Sequence, residues 1–117
     1  MAKAETKTID KPDNVMKMEK GSIDIVNIGG GAVARLTLEP GWEWQKHEKP
    51  LVDTEWCEAP HFFYLTQGKL HIKMRDGDEF DLKAGDIIAL PAEHDGWVVG
   101  DEAVVGIDWS GCTALGK

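Results

Sequence analysis

Apolar and polar side chains alternate most cleanly in KLHIKMR, where Leu70, Ile72 and Met74 share one face and Lys69, His71, Lys73 and Arg75 the other. A period of two belongs to a half-buried strand, and it puts His71 on the outside. Asp76-Gly77 follows as a hairpin turn, the glycine accepting positive φ, and DEFDL then reads as a second strand burying Phe80 and Leu82. SIDIVNI, AVARLTL, GDIIAL, WVV and AVVGIDW are further β-branched or aromatic runs. Between them stand Gly29-Gly30-Gly31, Pro40-Gly41, Gly68, Gly85-Asp86 and Gly100-Asp101. No segment of about ten residues carries a convincing helical period, so short strands with regular turns predict an all-β sandwich or barrel.

Composition narrows this to one domain. The chain has 117 residues, 42% of them hydrophobic, enough for a single compact core. Residues 1–20 alternate Lys, Glu, Asp and Thr and read as a tail or a loosely docked first strand, with the folded domain over 21–112 and a short tail over 113–117. Acidic residues outnumber basic ones 21 to 13, for a net charge of −8, with no Lys/Arg block to neutralise phosphates. Nucleic acid is therefore not an expected partner. MAKAETKTID has no signal-like apolar run, and nothing approaches the roughly 20 apolar residues of a membrane span. The expectation is a soluble, cytoplasmic protein away from membranes. Two cysteines, Cys57 and Cys112, make no disulfide framework and are expected as free thiols unless a metal holds one.

Chemistry concentrates between Gly41 and Trp97. PGWEWQKHEKP puts His47 six residues after Gly41 and reads as a loop leading into a strand. TEWCEAPHFFYLTQGKL puts Cys57 four residues before His61 at the start of an aromatic strand. AGDIIALPAEHDGWVV puts Pro91 six residues after Gly85, around a buried strand and a turn that carries His94.

In these spacings the chain resembles the cupin superfamily, and most closely its small single-domain bacterial members. Their first motif is Gly, five residues, His-x-His, three or four residues, Glu, six residues, Gly; their second is Gly, five residues, Pro-x-Gly, two residues, His. The resemblance implies a double-stranded β-helix, a jelly-roll barrel of six to ten antiparallel strands. It also implies where this chain departs. Counting back from Gly68, His61 occupies the position of the ligand Glu, with Tyr64 as the motif's aromatic residue. Lys49 stands where the second His of His-x-His would follow His47, and about seven extra residues separate His47 from His61. A register anchored on His61 instead puts Cys57 on that second His and Glu55 on the first. Gly96 stands where the second motif has its His, with His94 two residues earlier on the same strand parity.

On the resemblance, His47, Cys57, His61 and His94 are the candidate metal ligands. An N/S set of this kind suits iron, zinc, copper or nickel rather than magnesium or calcium. Each residue also has a plainer reading: Cys57 as a small buried hydrophobe, His47 as a surface residue beside Trp42 and Trp44, and His94 as a turn residue bonded to Asp95 or to backbone. His71 and Cys112 receive no role. Two functions stay open. One is a metal-dependent enzyme, dioxygenase-like or isomerase-like, acting on a small polar or carbonyl compound, with Glu55 or Glu58 as the nearest candidate base. The other is a non-catalytic small-molecule binding or sensing module. A homodimer is expected, through sheet faces and with SIDIVNI able to cross to a partner's exposed edge.

Overall fold

The computed structural model describes residues 3–52, 54–57 and 60–109. Within them the chain forms nine strands: β1 (Asn14–Met18), β2 (Gly21–Ile28), β3 (Gly31–Leu38), β4 (His61–Gln67), β5 (Lys69–Met74), β6 (Glu79–Lys83), β7 (Ile87–Leu90), β8 (His94–Val99) and β9 (Val104–Asp108). One sheet has the order β1-β2-β3-β9-β4-β7 and the other β6-β5-β8, with every pairing antiparallel. The chain is all-β, as the turn spacing predicts.

The period of two explains how the sheets face each other. Leu70, Ile72 and Met74 of β5 and Leu82 of β6 are buried, and so are Phe63 and Leu65 of β4 and Val104 of β9. These residues join Leu38, Trp42, Trp44, Leu90 and Val98 in one core. β9 alternates in the same way: Val104, Gly106 and Asp108 are buried while Val105 and Ile107 are half-buried. Gly106 is required by packing, because a Cβ there would lie 2.2 Å from Cζ of Phe63. Gly68, between β4 and β5, has φ +86 and meets the Ala103 carbonyl so closely that a Cβ would stand 2.6 Å from its oxygen.

Three features differ from the sequence reading. Phe80 shares the parity of Leu82 but is 41% exposed, because β6 is an edge strand and Phe80 sits near its hairpin end. WQKHE, Trp44–Glu48, forms a π-helical turn rather than an extended entry, and it runs into a short helix α1 (Lys49–Val52). Such turns are rare and recur at functional sites. Finally, β2 is no free strand: it is paired on both sides within the chain, by β1 and β3, and the outer position belongs to β1. Polar contacts dock the N-terminal segment alongside. Asp13 accepts the Asn27 N–H at 2.7 Å, and Arg35 reaches both Asp10 and Asp24.

Candidate metal centre

Backbone pairing joins Cys57, four residues before β4, to His94, the first residue of β8. The Cys57 N–H donates to the His94 carbonyl at 2.8 Å, and the Cys57 carbonyl accepts the Glu93 N–H at 2.7 Å. Glu93 has φ +70, unusual for a side-chain-bearing residue, so the chain turns sharply just before His94. His94 is thus the first residue of a strand rather than part of a turn. It shares the inward parity of Gly96 and Val98, and is 5% exposed.

His61 opens β4, opposite Leu90 of β7. Its ring centroid lies 5.1 Å from that of His94, edge to face, and its Nε2 is 3.9 Å from Cys57 Sγ. One ligand atom from each of Cys57, His61 and His94 falls within 4.8 Å of the others. The structure does not bring His47 to this group. Its Nδ1 accepts the Glu43 N–H at 3.0 Å within the helical turn, which leaves the ring proton on Nε2.

Both imidazoles of the group are anchored through Nδ1. His94 Nδ1 lies 2.9 Å from the Pro91 carbonyl, an atom that can only accept, so the proton is on Nδ1 and the Nε2 lone pair is open. His61 Nδ1 is bonded to the Asp108 carboxylate, which also accepts the Phe62 N–H through its other oxygen. A carboxylate behind a ligating histidine fixes tautomer and ring orientation, and it makes the free nitrogen a better donor. Burial alone would lower the His61 pKa, but the bonds to Asp108 and Cys57 outweigh it and raise the value to about 9. The residues therefore fit a metal ion in donor type, in convergence and in outer support.

Behind the group a cavity opens between the sheets, with about 70 Å³ open to the centre of a water-sized sphere. Cys57, His61, His94, Glu48 and Trp44 line it at the polar end; the rest of the wall is largely aliphatic, including Ile23, Leu36, Leu38, Leu70 and Ile88. Gly96 is also in the wall. Burial pushes the Glu48 carboxyl above its ordinary value, an effect only partly offset by the charges of His61 and His94 and by the nearby Trp44 indole. Trp44 Nε1 is a buried donor that acts on the Glu48 carboxyl while falling outside strict hydrogen-bond geometry.

Sequence reasoning did not find Asp108, Glu48 or Trp44. Asp108 had a signal: a lone carboxylate with inward parity in the otherwise apolar AVVGIDW. Glu48 had a fainter one, four residues after Trp44, a spacing that puts the two on one face of a helical turn as of a strand. Glu55 is exposed and feels Arg75 rather than the histidines. Glu58 and Cys112 lie outside the described residues.

No protein-family model matches this sequence, and no curated protein matches it significantly. Solved structures do match the fold. A protein of unknown function from Rhizobium leguminosarum aligns over 92% of this chain and 96% of its own, with a TM-score of 0.60 and 16% identity. A cupin-like protein from Thermotoga maritima aligns over 77% of this chain and 68% of its own, at 0.51 and 18%. An oxalate decarboxylase of Bacillus subtilis aligns over 82% of this chain, at 0.57 and 23%, and the match spans only 27% of that longer protein. The chain has the fold of the cupin superfamily.

Proposed function

We propose that this protein holds one transition-metal ion through Cys57 Sγ and the Nε2 atoms of His61 and His94, and receives a small molecule in the cavity beside it. The convergence of these three donors within 4.8 Å carries the reading. One thiolate and two imidazoles suit iron, zinc, copper or nickel. Three protein donors are too few to close a structural zinc site, so room remains for water or a ligand. A metal there supplies Lewis acidity toward a bound oxygen. For the chain's own part, Asp108 fixes His61 and the Pro91 carbonyl fixes His94. Glu48 is the carboxylate placed to take up or return a proton at the same end of the cavity. On this reading the protein is an enzyme acting on the bound small molecule.

Elemental analysis of protein purified without a metal-binding tag tests the proposal. The expected result is about one transition-metal ion per chain, lost on Cys57→Ser, His61→Ala or His94→Ala and kept on His47→Ala and His71→Ala. Wild-type protein free of metal after incubation with each of the four ions would sink it.

A further inference from the structure

The wall of the cavity is divided in kind. Glu48, Cys57, His61 and His94 gather at one end: the last three converge within 4.8 Å, and Glu48 lies close enough to interact with both histidines. Trp42 also lines the cavity, but its indole N–H is turned to Met18 Sδ at 3.2 Å, and the Trp44 indole acts on Glu48. Every other described lining residue is Leu, Ile, Phe or Gly. This division holds whatever proton each polar group carries. A polar atom desolvated against aliphatic side chains without a partner is costly, so a ligand that fills the space keeps its polar atoms at one end and is hydrocarbon elsewhere.

Direction and size follow from the sheet and the volume. His61 stands on β4 and Ile23 on β2, with β9 and β3 between them, so the wall crosses three strand spacings of about 4.8 Å each. Of the lining residues on the six-stranded sheet, Ile23 is on the strand farthest from His61. It pairs across the sheet with Leu36, which pairs in turn with Gly106 under the Phe63 ring, so both side chains face inward. A water needs about 10–15 Å³ by the same measure, so 70 Å³ admits roughly five to seven heavy atoms.

We propose that the ligand is a small amphiphile, an oxygen-bearing head on an unbranched aliphatic chain of about four to six carbons, and that Ile23 sets the length it accepts. The head lies at the end formed by Cys57, His61 and His94, and the chain runs over Leu36 to Ile23. Compounds that are polar along their whole length, such as sugars, do not match this wall. The inference deepens the metal-site reading and rests on it only for what holds the head.

The test titrates the full chain with straight-chain primary alcohols from ethanol to octanol and follows the isoleucine methyl resonances in carbon-13 spectra. Affinity should rise about fourfold for each added carbon, the worth of one buried methylene, and stop rising at about five or six carbons. The Ile23 methyl signals, identified by their loss in Ile23→Ala, should shift saturably with the longer alcohols. Because Ile23 is only half-buried, that variant should fold, and the chain length at which affinity levels off should grow by one or two carbons. A flat series, a rise that continues unbroken to octanol, Ile23 methyls that do not move, or an unchanged length limit in Ile23→Ala would each overturn the proposal. If the variant does not fold, the Ile23 assignment comes from Ile23→Val and the wild-type series decides. Zinc-loaded and chelator-treated samples separate the two readings. Zinc uptake with a flat series defeats only the ligand proposal, whereas a rising series in protein that takes up no metal defeats only the metal.

Discussion

His61 and Asp108 are bonded side chain to side chain although 47 residues separate them in sequence. The β4–β9 register makes this possible. Phe63 pairs with Asp108, so the carboxylate at the end of β9 lies beside the first residues of β4 and meets the imidazole from behind. The orientation of His61 Nε2, which turns toward Cys57 Sγ, is thereby set by a residue on the neighbouring strand.

Asp108→Asn separates charge from geometry. The amide oxygen still accepts from His61 Nδ1, while the amide nitrogen replaces the oxygen that takes the Phe62 N–H at 3.3 Å; the β4–β9 backbone pairing needs neither bond and should hold. Zinc affinity should nevertheless fall by roughly 10–100-fold, the usual effect of losing a carboxylate behind a ligand. The His61 pKa should drop from about 9, since the Asp108 bond is what raises it most. A competition titration against a chromophoric chelator reads the first and proton NMR the second. Unchanged values in both would show that Asp108 merely fills space.

The fold was legible because its signal is local. KLHIKMR and the glycine-punctuated runs fix strand parity without knowledge of their partners, and the structure keeps that parity in β5, β8 and β9. Cys57, His61 and His94 were legible as candidate ligands, and the structure brings the three together. What the sequence withheld was pairing. The Cys57–His94 bridge joins a residue before β4 to the first residue of β8, 37 positions on, and Asp108 reaches His61 only through sheet register. The helical turn at Trp44–Glu48 was hidden for another reason. Five residues are too few to display a period, so Glu48 passed as a loop residue and His47 was taken by motif spacing for the group that faces the site.

Gly106→Ala should destabilise the protein by about 1–3 kcal/mol, the cost of forcing an extra methyl into a packed core. The methyl would occupy the space of the Phe63 ring, 2.2 Å from its Cζ. Chemical denaturation gives the loss. Adding Phe63→Leu should recover part of it, and a double variant no better than the simple sum would show that the clash lies elsewhere.

His71 predicts a pH dependence away from the cavity. Its ring stacks on Trp97 with centroids 4.6 Å apart, and its two nitrogens face Asp81 at 2.7 Å and Glu79 at 2.8 Å. It lies on the outer face as its parity requires, yet it is clamped rather than free, with Lys69 and Lys73 as its same-face neighbours along β5. Both carboxylates raise its pKa above 6.5, against a smaller opposing effect of burial. A pKa raised by folding stabilises fully below the unfolded value near 6.5 and is lost as pH climbs through the folded one. Exposed pairs of this type contribute about 0.2–1 kcal/mol. His71→Gln should therefore cost up to that amount at pH 6 and progressively less toward pH 9, with metal content unaffected. A difference that grows with pH would contradict the assignment.

The outer face of β4 and β7 predicts assembly. Tyr64 pairs with Ile87 and Phe62 with Ala89, so the side chains opposite each other on this face are apolar. Phe62 is 50% and Ile87 67% exposed, on and beside the free edge of the larger sheet. An apolar patch at an edge strand favours self-association, and a second copy brings the same patch in a two-fold arrangement. Light scattering at tens of micromolar should give twice the chain mass. Ile87→Lys should return the monomer while leaving metal content intact, because Ile87 points away from the cavity wall formed by Ile88 and Leu90. A wild-type monomer at that concentration would remove the dimer. A dimer that survives both Ile87→Lys and Phe62→Lys would move the interface to another face.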